Sequence, residues 1–229
     1  VLPLQLELEG ANQNHQSLSQ PDQPHQPPVV SYLDVLNEKI QVGPCVAIIG
    51  AGGIGFDVAE YLVHPSTGGR PSPSESISFA KYWGIDLTLE SRGGLIKKEI
   101  LGETAREIPS PARQVYLLQR SSNKMGSRLG KTTGWIHRAM LKDYKVKMLA
   151  GVTYHKVDSQ GLHITYDGKP QVLKVDHVVV CAGQVPLRDL QEGLEKSGKK
   201  VHLIGGAFQA SELDAKTAIA QATALGALI

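Results

Sequence analysis

The sequence predicts an α/β fold in which a doubly wound parallel sheet is accompanied by an antiparallel three-stranded β-meander. Three observations predict it. Short apolar segments alternate with helical patterns, a glycine-rich turn joins one of these segments to a helix, and three short alternating segments follow one another between residues 153 and 175. Parallel strands separated by helices form one sheet with two covered faces, so the predicted core has two sides.

The first predicted unit is a strand, a glycine turn and a helix. Before it, Ser31 and Asp34 form a pattern that predicts a short capped helix. The continuous apolar run Cys45–Ile49 is typical of a parallel strand that is buried on both faces. Apolar side chains then recur at helical spacing between residues 53 and 63, which predicts a helix directly after the turn.

The remaining elements follow from the same patterns. Residues 64–113 interrupt the alternation, and they begin with a segment rich in proline, serine and glycine that predicts a loop. Turn residues at 159–161 and at Asp167-Gly168 separate three predicted meander strands, at 153–157, 162–166 and 171–175. Further strands are predicted at 114–119, 146–149, 177–181 and 201–204, and further helices at 131–141 and 213–228.

Composition and charge exclude several classes of protein. The 229 residues carry 24 Lys+Arg and 22 Asp+Glu, and this net charge of +2 is too balanced for a dedicated nucleic-acid binder or a membrane-surface protein. No apolar run reaches the ~18 residues of a membrane span. Two cysteines cannot form a disulfide scaffold, an all-cysteine zinc site or an iron–sulfur site, so a reducing, cytoplasmic location is expected.

The start of the sequence predicts a fragment. It begins at Val1 without an initiating Met, a basic segment or a long apolar segment, so we expect no signal peptide and a longer parent protein. Residues 10–28 are almost free of apolar side chains and cannot bury enough surface to offset their ordering entropy. This composition predicts a linker or mobile loop over residues 1–29.

The glycine turn carries the strongest functional signal, because its residues fit the pattern G-x-G-x-x-G between a strand and a helix. Gly50 permits the tight turn, and the missing Cβ of Gly52, with Gly53 beside it, lets backbone N–H groups approach a pyrophosphate. Gly55 allows close packing of the helix on the strand, and the helix N-terminus supplies partial positive charge. A tight strand–helix turn without a ligand is the alternative.

The second strand is followed by a positively charged residue, whereas a NAD-preferring site has an acidic residue there. Such sites place Asp or Glu about 20 residues beyond the glycines, where it accepts a hydrogen bond from the ribose 2′-hydroxyl. Here the insertion at 64–113 moves the predicted strand end to Arg120. A guanidinium binds phosphate through bidentate, charge-assisted hydrogen bonds, so Arg120 and Ser121 favour the 2′-phosphate of NADPH. Arg128 and Lys131 are further candidates, and a solvated basic loop is the alternative.

Other catalytic motifs are absent or incomplete. Gly130-Lys131-Thr132 is similar to the end of a P-loop, but that pattern requires a glycine where Met125 stands. The motifs Tyr-x-x-x-Lys, Gly-x-Ser-x-Gly and His-Glu-x-x-His do not occur. Cys45 and Cys181 are interpreted as inert core thiols rather than as a redox pair.

Four segments together resemble the bacterial NADPH-dependent 2,4-dienoyl-CoA reductases. They are VSYLDVL at 30–36, VAIIGAGGIGFD at 46–57, GKTTGWIHR at 130–138, and VHLIGGA at 201–207 with ELDA at 212–215. The segment at 130–138 is the most specific, because the glycine pattern alone does not distinguish relatives such as the trimethylamine-dehydrogenase-like enzymes. The resemblance covers about residues 30–229.

The resemblance implies part of a three-part enzyme of unsaturated fatty acid β-oxidation. A (β/α)8 barrel would hold FMN, a 4Fe-4S cluster and the dienoyl-CoA site, a second part would bind FAD, and a third would bind NADPH. Hydride would pass from NADPH to FAD, and electrons would then pass through the cluster to FMN. The chain lacks the barrel, the cluster cysteines and the FAD fingerprint, so the resemblance implies a NADPH-binding domain over 30–183 and the C-terminal segment of the FAD-binding domain over 184–229.

The resemblance also assigns residues to cofactors. Trp135 and Arg138 would face the junction of nicotinamide and flavin, although Trp135 fits a core position equally well. Gly183, after the strand at 177–181, is a further cofactor-binding candidate. The last helix would place its N-terminus near FAD, where its dipole would stabilise a reduced flavin, and Asp214 would alternatively serve only as an N-terminal helix residue. The residues assigned to this FAD segment are Gly205, Gly206, Ala207, Leu213, Asp214 and Ala215.

Two other functions stay open at this stage. One is a related NADH:flavin oxidoreductase with a different electron acceptor, since the substrate site would lie outside the chain. The other is a non-catalytic module that senses a nucleotide in the same pocket. The expected partners are NADPH and the remaining barrel and FAD-binding domains of the longer protein, with no nucleic acid and no membrane.

Overall fold

The computed structural model describes residues 2–3, 8–10, 26–64, 76–96, 108, 110–210 and 214–229. Over these residues the strands are β1 (Leu2–Pro3), β2 (Val29–Ser31), β3 (Cys45–Ile49), β4 (Gln114–Gln119), β5 (Lys147–Ala150), β6 (Thr153–Asp158), β7 (Gly161–Tyr166), β8 (Lys169–Leu173), β9 (His177–Val180) and β10 (Gln184–Val185). The helices are α1 (Tyr32–Leu36), α2 (Gly53–Val63), α3 (Ser76–Trp83), α4 (Gly134–Asp143), α5 (Gln191–Lys196), α6 (Gly205–Phe208) and α7 (Ala215–Gly226).

The central sheet is parallel throughout and has the strand order β2-β9-β3-β4-β5. Its middle strand is fully buried, because Val46, Ala47, Ile48 and Ile49 are almost inaccessible to solvent. This is the continuous apolar strand expected where both faces of a parallel sheet are covered. The predicted Rossmann-like, doubly wound α/β fold is therefore confirmed.

Different kinds of structure cover the two faces of the sheet. One core cluster joins the sheet to the helices through side chains such as Phe56, Leu62 and Leu141. The other joins it to the separate antiparallel sheet β6-β7-β8 through side chains such as Leu162 and Ile164. The predicted meander is thus present, and it takes the place that helices occupy on the first face.

Several element boundaries differ from the predicted ones for local reasons. Helix α4 begins at Gly134, three residues later than predicted, because a hydrogen-bonded turn from Gly130 to Thr133 precedes it. Strand β2 was not predicted, because three residues are too few to show a periodicity, yet it pairs in parallel with β9. Ser31 caps α1 as predicted, and its hydroxyl accepts a hydrogen bond from Leu33 N at 3.2 Å.

The predicted linker over residues 1–29 is described only in part. Strand β1 pairs with β10, and Glu9 forms a bridge with Lys156. These few residues pair with strands, and the linker or mobile loop over residues 1–29 stays a prediction. Residues 11–25 lie outside the described residues, as does most of the proline-rich part of the insertion at 64–113.

Residues 184–229 contribute almost nothing to the buried core. Among their described side chains Ala210 is the single buried apolar one, whereas eight large apolar side chains are exposed. The strand predicted at 201–204 is wrong: these residues are coil, and no strand of the described chain lies beside them to complete a ladder. No helix in the described part of the chain is long and apolar enough to cross a membrane.

We expect Gly55→Ala to destabilise the fold strongly. A Cβ at Gly55 would lie 1.8 Å from the carbonyl oxygen of Gly50, so the helix would have to move away from the strand, at a cost of about 1–3 kcal/mol. The matched control is Gly53→Ala, whose Cβ meets nothing within 4 Å, so its stability should be unchanged or slightly higher. Urea unfolding of both variants measures the difference, and equal stabilities would contradict the close packing.

Candidate dinucleotide-binding site

The candidate site lies where the direction of the strand order reverses. From β3 the chain proceeds to β4 and β5 on one side, whereas β9 and β2 lie on the other side. The turns that follow β3 and β9 are in contact, because a Cβ on Gly50 would lie 2.7 Å from the backbone nitrogen of Ala182. Gly50 has a φ of +110°, and Gly183, with a φ of +78°, completes the neighbouring turn. Ligands of open α/β sheets bind in such a crevice at the carboxyl ends of the strands.

The glycine turn has the geometry of an anion site. Gly52 and Gly53 have open space where a side chain would project, so a ligand can approach their backbone closely. Helix α2 starts with Gly52 as its N-cap, without a side-chain cap and without an acidic residue in its first turn. Its first N–H groups and its dipole therefore face the crevice without a competing carboxylate.

Arg120 follows β4 directly, at the position predicted from the sequence. The turn that carries it is held by hydrogen bonds that sequence analysis did not anticipate. Gln119 Nε2 donates to the carbonyl oxygens of Ser121 and Asn123 at 2.8 and 2.9 Å, and Ser121 Oγ accepts from Asn123 N at 3.2 Å. Gly151 N, after β5, donates to Ser121 O at 2.9 Å. The sequence gives little indication of this role for Gln119, because a glutamine at the end of a strand is also an ordinary surface residue.

The electrostatics of this edge place a positive charge close to a buried phenol. Burial raises the pKa of Tyr154, and the positive charge of Arg120 partly opposes that rise. The Tyr154 hydroxyl is inaccessible and has no hydrogen-bond partner in the described structure. Arg120 itself is exposed, so the protein does not cover its side chain.

Residues 120–133 form a loop, here called the basic loop, between β4 and α4. Its middle rests on α2, because Gly126 adopts a φ of +68° and a Cβ there would lie 2.9 Å from the ring of Phe56. Arg138 holds the same point, since its Nη1 donates to the carbonyl oxygen of Gly126 at 3.0 Å. Arg128 and Lys131 are exposed on the loop.

Trp135 lies in the first turn of α4 and is 61% exposed. This exposure excludes the core position that the sequence left open for it. An exposed indole at this place is available for stacking on a flat ring, although an aromatic side chain of this size is more often buried.

The residues assigned to the FAD segment form a cluster of their own. Gly205 N donates to Gln221 Oε1 at 2.6 Å, and the Arg188 guanidinium donates to the carbonyl oxygens of Ala207 and Phe208, both at 2.7 Å. Gly206 lies beside Ala207 in the four-residue helix α6, and Ala215 begins α7. Leu213 lies outside the described residues.

Asp214 is the N-cap of α7. Its carboxylate accepts a hydrogen bond from Thr217 N at 2.6 Å, and this hydrogen bonding lowers the pKa of Asp214. The helix-terminal role that the sequence suggested is therefore present. A role toward FAD remains a prediction.

The two cysteines do not form a redox pair. Cys45 begins β3, whereas Cys181 follows β9, and the register pairs Val46 with His177 and Ile49 with Val180. The two residues therefore lie about five residues apart along the sheet, roughly 16 Å, which is beyond the reach of a disulfide. Burial raises the pKa of Cys181 to about 12, and burial together with the charge of Asp176 raises the pKa of Cys45.

A glycine turn lies where the strand order of the parallel sheet reverses, and an arginine follows the next strand. This arrangement defines a dinucleotide-binding domain of an oxidoreductase. The chain belongs to the pyridine nucleotide-disulphide oxidoreductase family, whose model matches residues 5–210. The family comprises FAD- and NAD(P)-dependent oxidoreductases.

Solved structures share this fold at low sequence identity. A 2-naphthoyl-CoA reductase in complex with 2-naphthoyl-CoA matches 92% of the chain with a TM-score of 0.55 and 18% identity. The 6-hydroxypseudooxynicotine amine oxidase of Pseudomonas geniculata N1 matches 93% of it with a TM-score of 0.53 and 16% identity. The matched regions cover 24% and 25% of those two chains, so this chain spans about a quarter of their length.

We expect the thiols to be unreactive in the folded protein. At pH 8 the thiolate fraction of Cys181 is smaller than that of an ordinary cysteine by roughly three orders of magnitude, because its pKa is about 12. Ellman's reagent should therefore react slowly with the native chain and rapidly after denaturation in urea. Cys45→Ser isolates the Cys181 signal, and rapid labelling of native Cys181 would contradict the prediction.

Proposed function

We propose that this chain is the NADPH-binding, hydride-delivering part of a multidomain flavin and iron–sulfur 2,4-dienoyl-CoA reductase of unsaturated fatty acid β-oxidation. NADPH would bind in the crevice between β3, β4 and β9, and FAD would lie at the side of residues 184–229. FMN, the 4Fe-4S cluster and the dienoyl-CoA site would belong to parts of the protein outside this chain.

One observation carries the proposal. The open glycine turn and Arg120 lie at the carboxyl ends of neighbouring strands, so a pyrophosphate and a 2′-phosphate of one nucleotide have partners at adjacent strand ends. An NADH site would instead have a carboxylate at the end of β4. The residues present therefore suit NADP better than NAD.

Each group has a separate task in this proposal. The N–H groups at Gly52 and Gly53 bind the pyrophosphate, and Arg120 with Ser121 binds the 2′-phosphate, while Arg128 and Lys131 add positive charge nearby. Trp135 and Gly183 border the nicotinamide end. NADPH supplies the hydride when bound, and the protein orients the nucleotide and favours its phosphates.

The exposed side chains of residues 184–229 support a partner within the longer protein. Phe208 and Ile219 are more than half exposed, and α7 buries no residue. A segment with so little core requires another surface to cover it. We infer that this surface belongs to the remainder of the FAD-binding domain, against which residues 201–204 would complete a strand ladder. The sequence resemblance is the basis for proposing a CoA thioester substrate. One solved structure that shares this fold, a 2-naphthoyl-CoA reductase, agrees with it.

The nucleotide preference provides the direct test. Calorimetric titration of the chain should show tighter binding of NADPH than of NADH, and Arg120→Ala should weaken NADPH by about 1.5–3 kcal/mol because a charged hydrogen bond is lost, with little change for NADH. Lys174→Ala is the charge-matched control, since Lys174 precedes β9 at the opposite edge of the sheet. Equal weakening of both nucleotides by Arg120→Ala would remove Arg120 from this role.

The glycine turn provides a second test. Gly52→Ala should leave the thermal unfolding midpoint nearly unchanged, because its Cβ meets nothing within 4 Å and its φ of −81° suits alanine. The same Cβ would stand where the pyrophosphate approaches the backbone, so NADPH affinity should fall by tenfold or more, about 1.4 kcal/mol. Unchanged affinity in the folded variant would show that the turn is only structural.

A further inference from the structure

His137 belongs to the segment 130–138, the most specific part of the sequence resemblance, but the proposed function gives it no task. Its Nδ1 lies 3.3 Å from Oε2 of Glu60, although the two residues are 77 positions apart in the sequence. Both side chains are partly buried, with 33% of the His137 side chain and 22% of the Glu60 side chain exposed. The contact joins α2, which carries the glycine turn, to α4, which follows the basic loop.

This contact is one of several that hold α4 and its loop against α2. Phe56 and Glu60 are four residues apart and therefore lie on the same face of α2, about 6 Å from each other along the axis. The basic loop meets this face at Phe56 through Gly126, and α4 meets it one turn later at Glu60 through His137. The loop is thus held both at its middle and through the helix that follows it.

Glu60 also connects to the far end of α4. His64 Nε2 lies 3.9 Å from Glu60 Oε1, and the His64 ring packs edge-on against Tyr144 with 4.8 Å between ring centroids. Tyr144 is the C-cap residue of α4 and is almost completely buried. One carboxylate on α2 therefore lies between two histidines, and the resulting network runs along the length of α4.

We propose that Glu60 and His137 form a positioning pair that sets the distance between the glycine turn and the basic loop. The inference rests on the proposed function for the identity of the ligand. The pyrophosphate and the 2′-phosphate of NADPH belong to one molecule, so the two subsites must hold a fixed separation. A separation that is fixed before binding removes the ordering cost that a loose loop would otherwise impose on the ligand.

Nucleotides of different length test the pair. Glu60→Ala and His137→Ala should each raise the dissociation constant for NADPH about two- to fivefold, as expected for a partly exposed polar contact. The double variant should lose no more than either single variant, and His137→Gln, whose amide can still donate to Glu60, should recover most of the affinity. Binding of 2′-AMP, which occupies the 2′-phosphate subsite alone, should not change. Additive losses, or an equal loss for 2′-AMP, would overturn the proposal.

Hydrogen exchange of the ligand-free chain separates this inference from the proposed function. The amides of Ser127 and Leu129, which donate within the basic loop to Lys124 O and Gly126 O, should exchange about two- to fivefold faster in Glu60→Ala and His137→Ala. The amide of Ile48 in β3 should be unaffected. If the unaltered chain binds no NADPH, the proposed function fails. Hydrogen exchange alone then tests whether Glu60 and His137 hold the basic loop in place. Unchanged exchange in the loop, or equal acceleration in β3, would overturn it.

Discussion

The approach of the first turn of α2 to the end of β3 is the constraint on which the candidate site depends. Gly55 lies so close to the Gly50 carbonyl oxygen that no side chain fits between them. This packing brings the N-terminus of α2 to the carboxyl edge of the sheet, and the open space at Gly52 and Gly53 then faces the crevice. The close contact at Gly55 and the open space at Gly52 and Gly53 are two consequences of the same backbone geometry. The first stabilises the fold, and the second is useful only to a ligand.

The parallel sheet then determines which other groups reach that crevice. Because β4 and β9 run parallel to β3 as its neighbours, their following turns lie on either side of the glycine turn. Arg120 and Gly183 are placed by strand order rather than by sequence proximity to the glycines. The insertion at 64–113 lengthens the sequence between the glycine turn and Arg120, but Arg120 still lies at the end of β4. Its place in the sheet could therefore be predicted from the strand pattern, although the usual spacing of about 20 residues does not apply.

Much of the central sheet could be predicted, and the failures share a physical cause. Buried strands such as Cys45–Ile49 and Gln114–Gln119 match their predicted bounds, since a buried apolar run and its flanking turns are local signals. The strand expected at 201–204 depends on neighbours that the described chain does not supply. Contacts between distant segments left no local signal either: nothing near His137 in the sequence points to Glu60. The residues of the candidate site were found where a motif has a fixed backbone geometry, and missed where a polar side chain supports a turn.

The chemistry available to the chain is limited by where its polar groups lie. Its two thiols are separated along the sheet and held in the protonated form, so the disulphide chemistry in the family name cannot take place between them. The groups assigned to the candidate site are N–H donors, a guanidinium and a hydroxyl, which bind phosphates and do not exchange electrons. A redox role for this domain must therefore come from what it binds. Residues 184–229 carry large apolar side chains that the described chain leaves exposed, so this segment does not complete a core of its own.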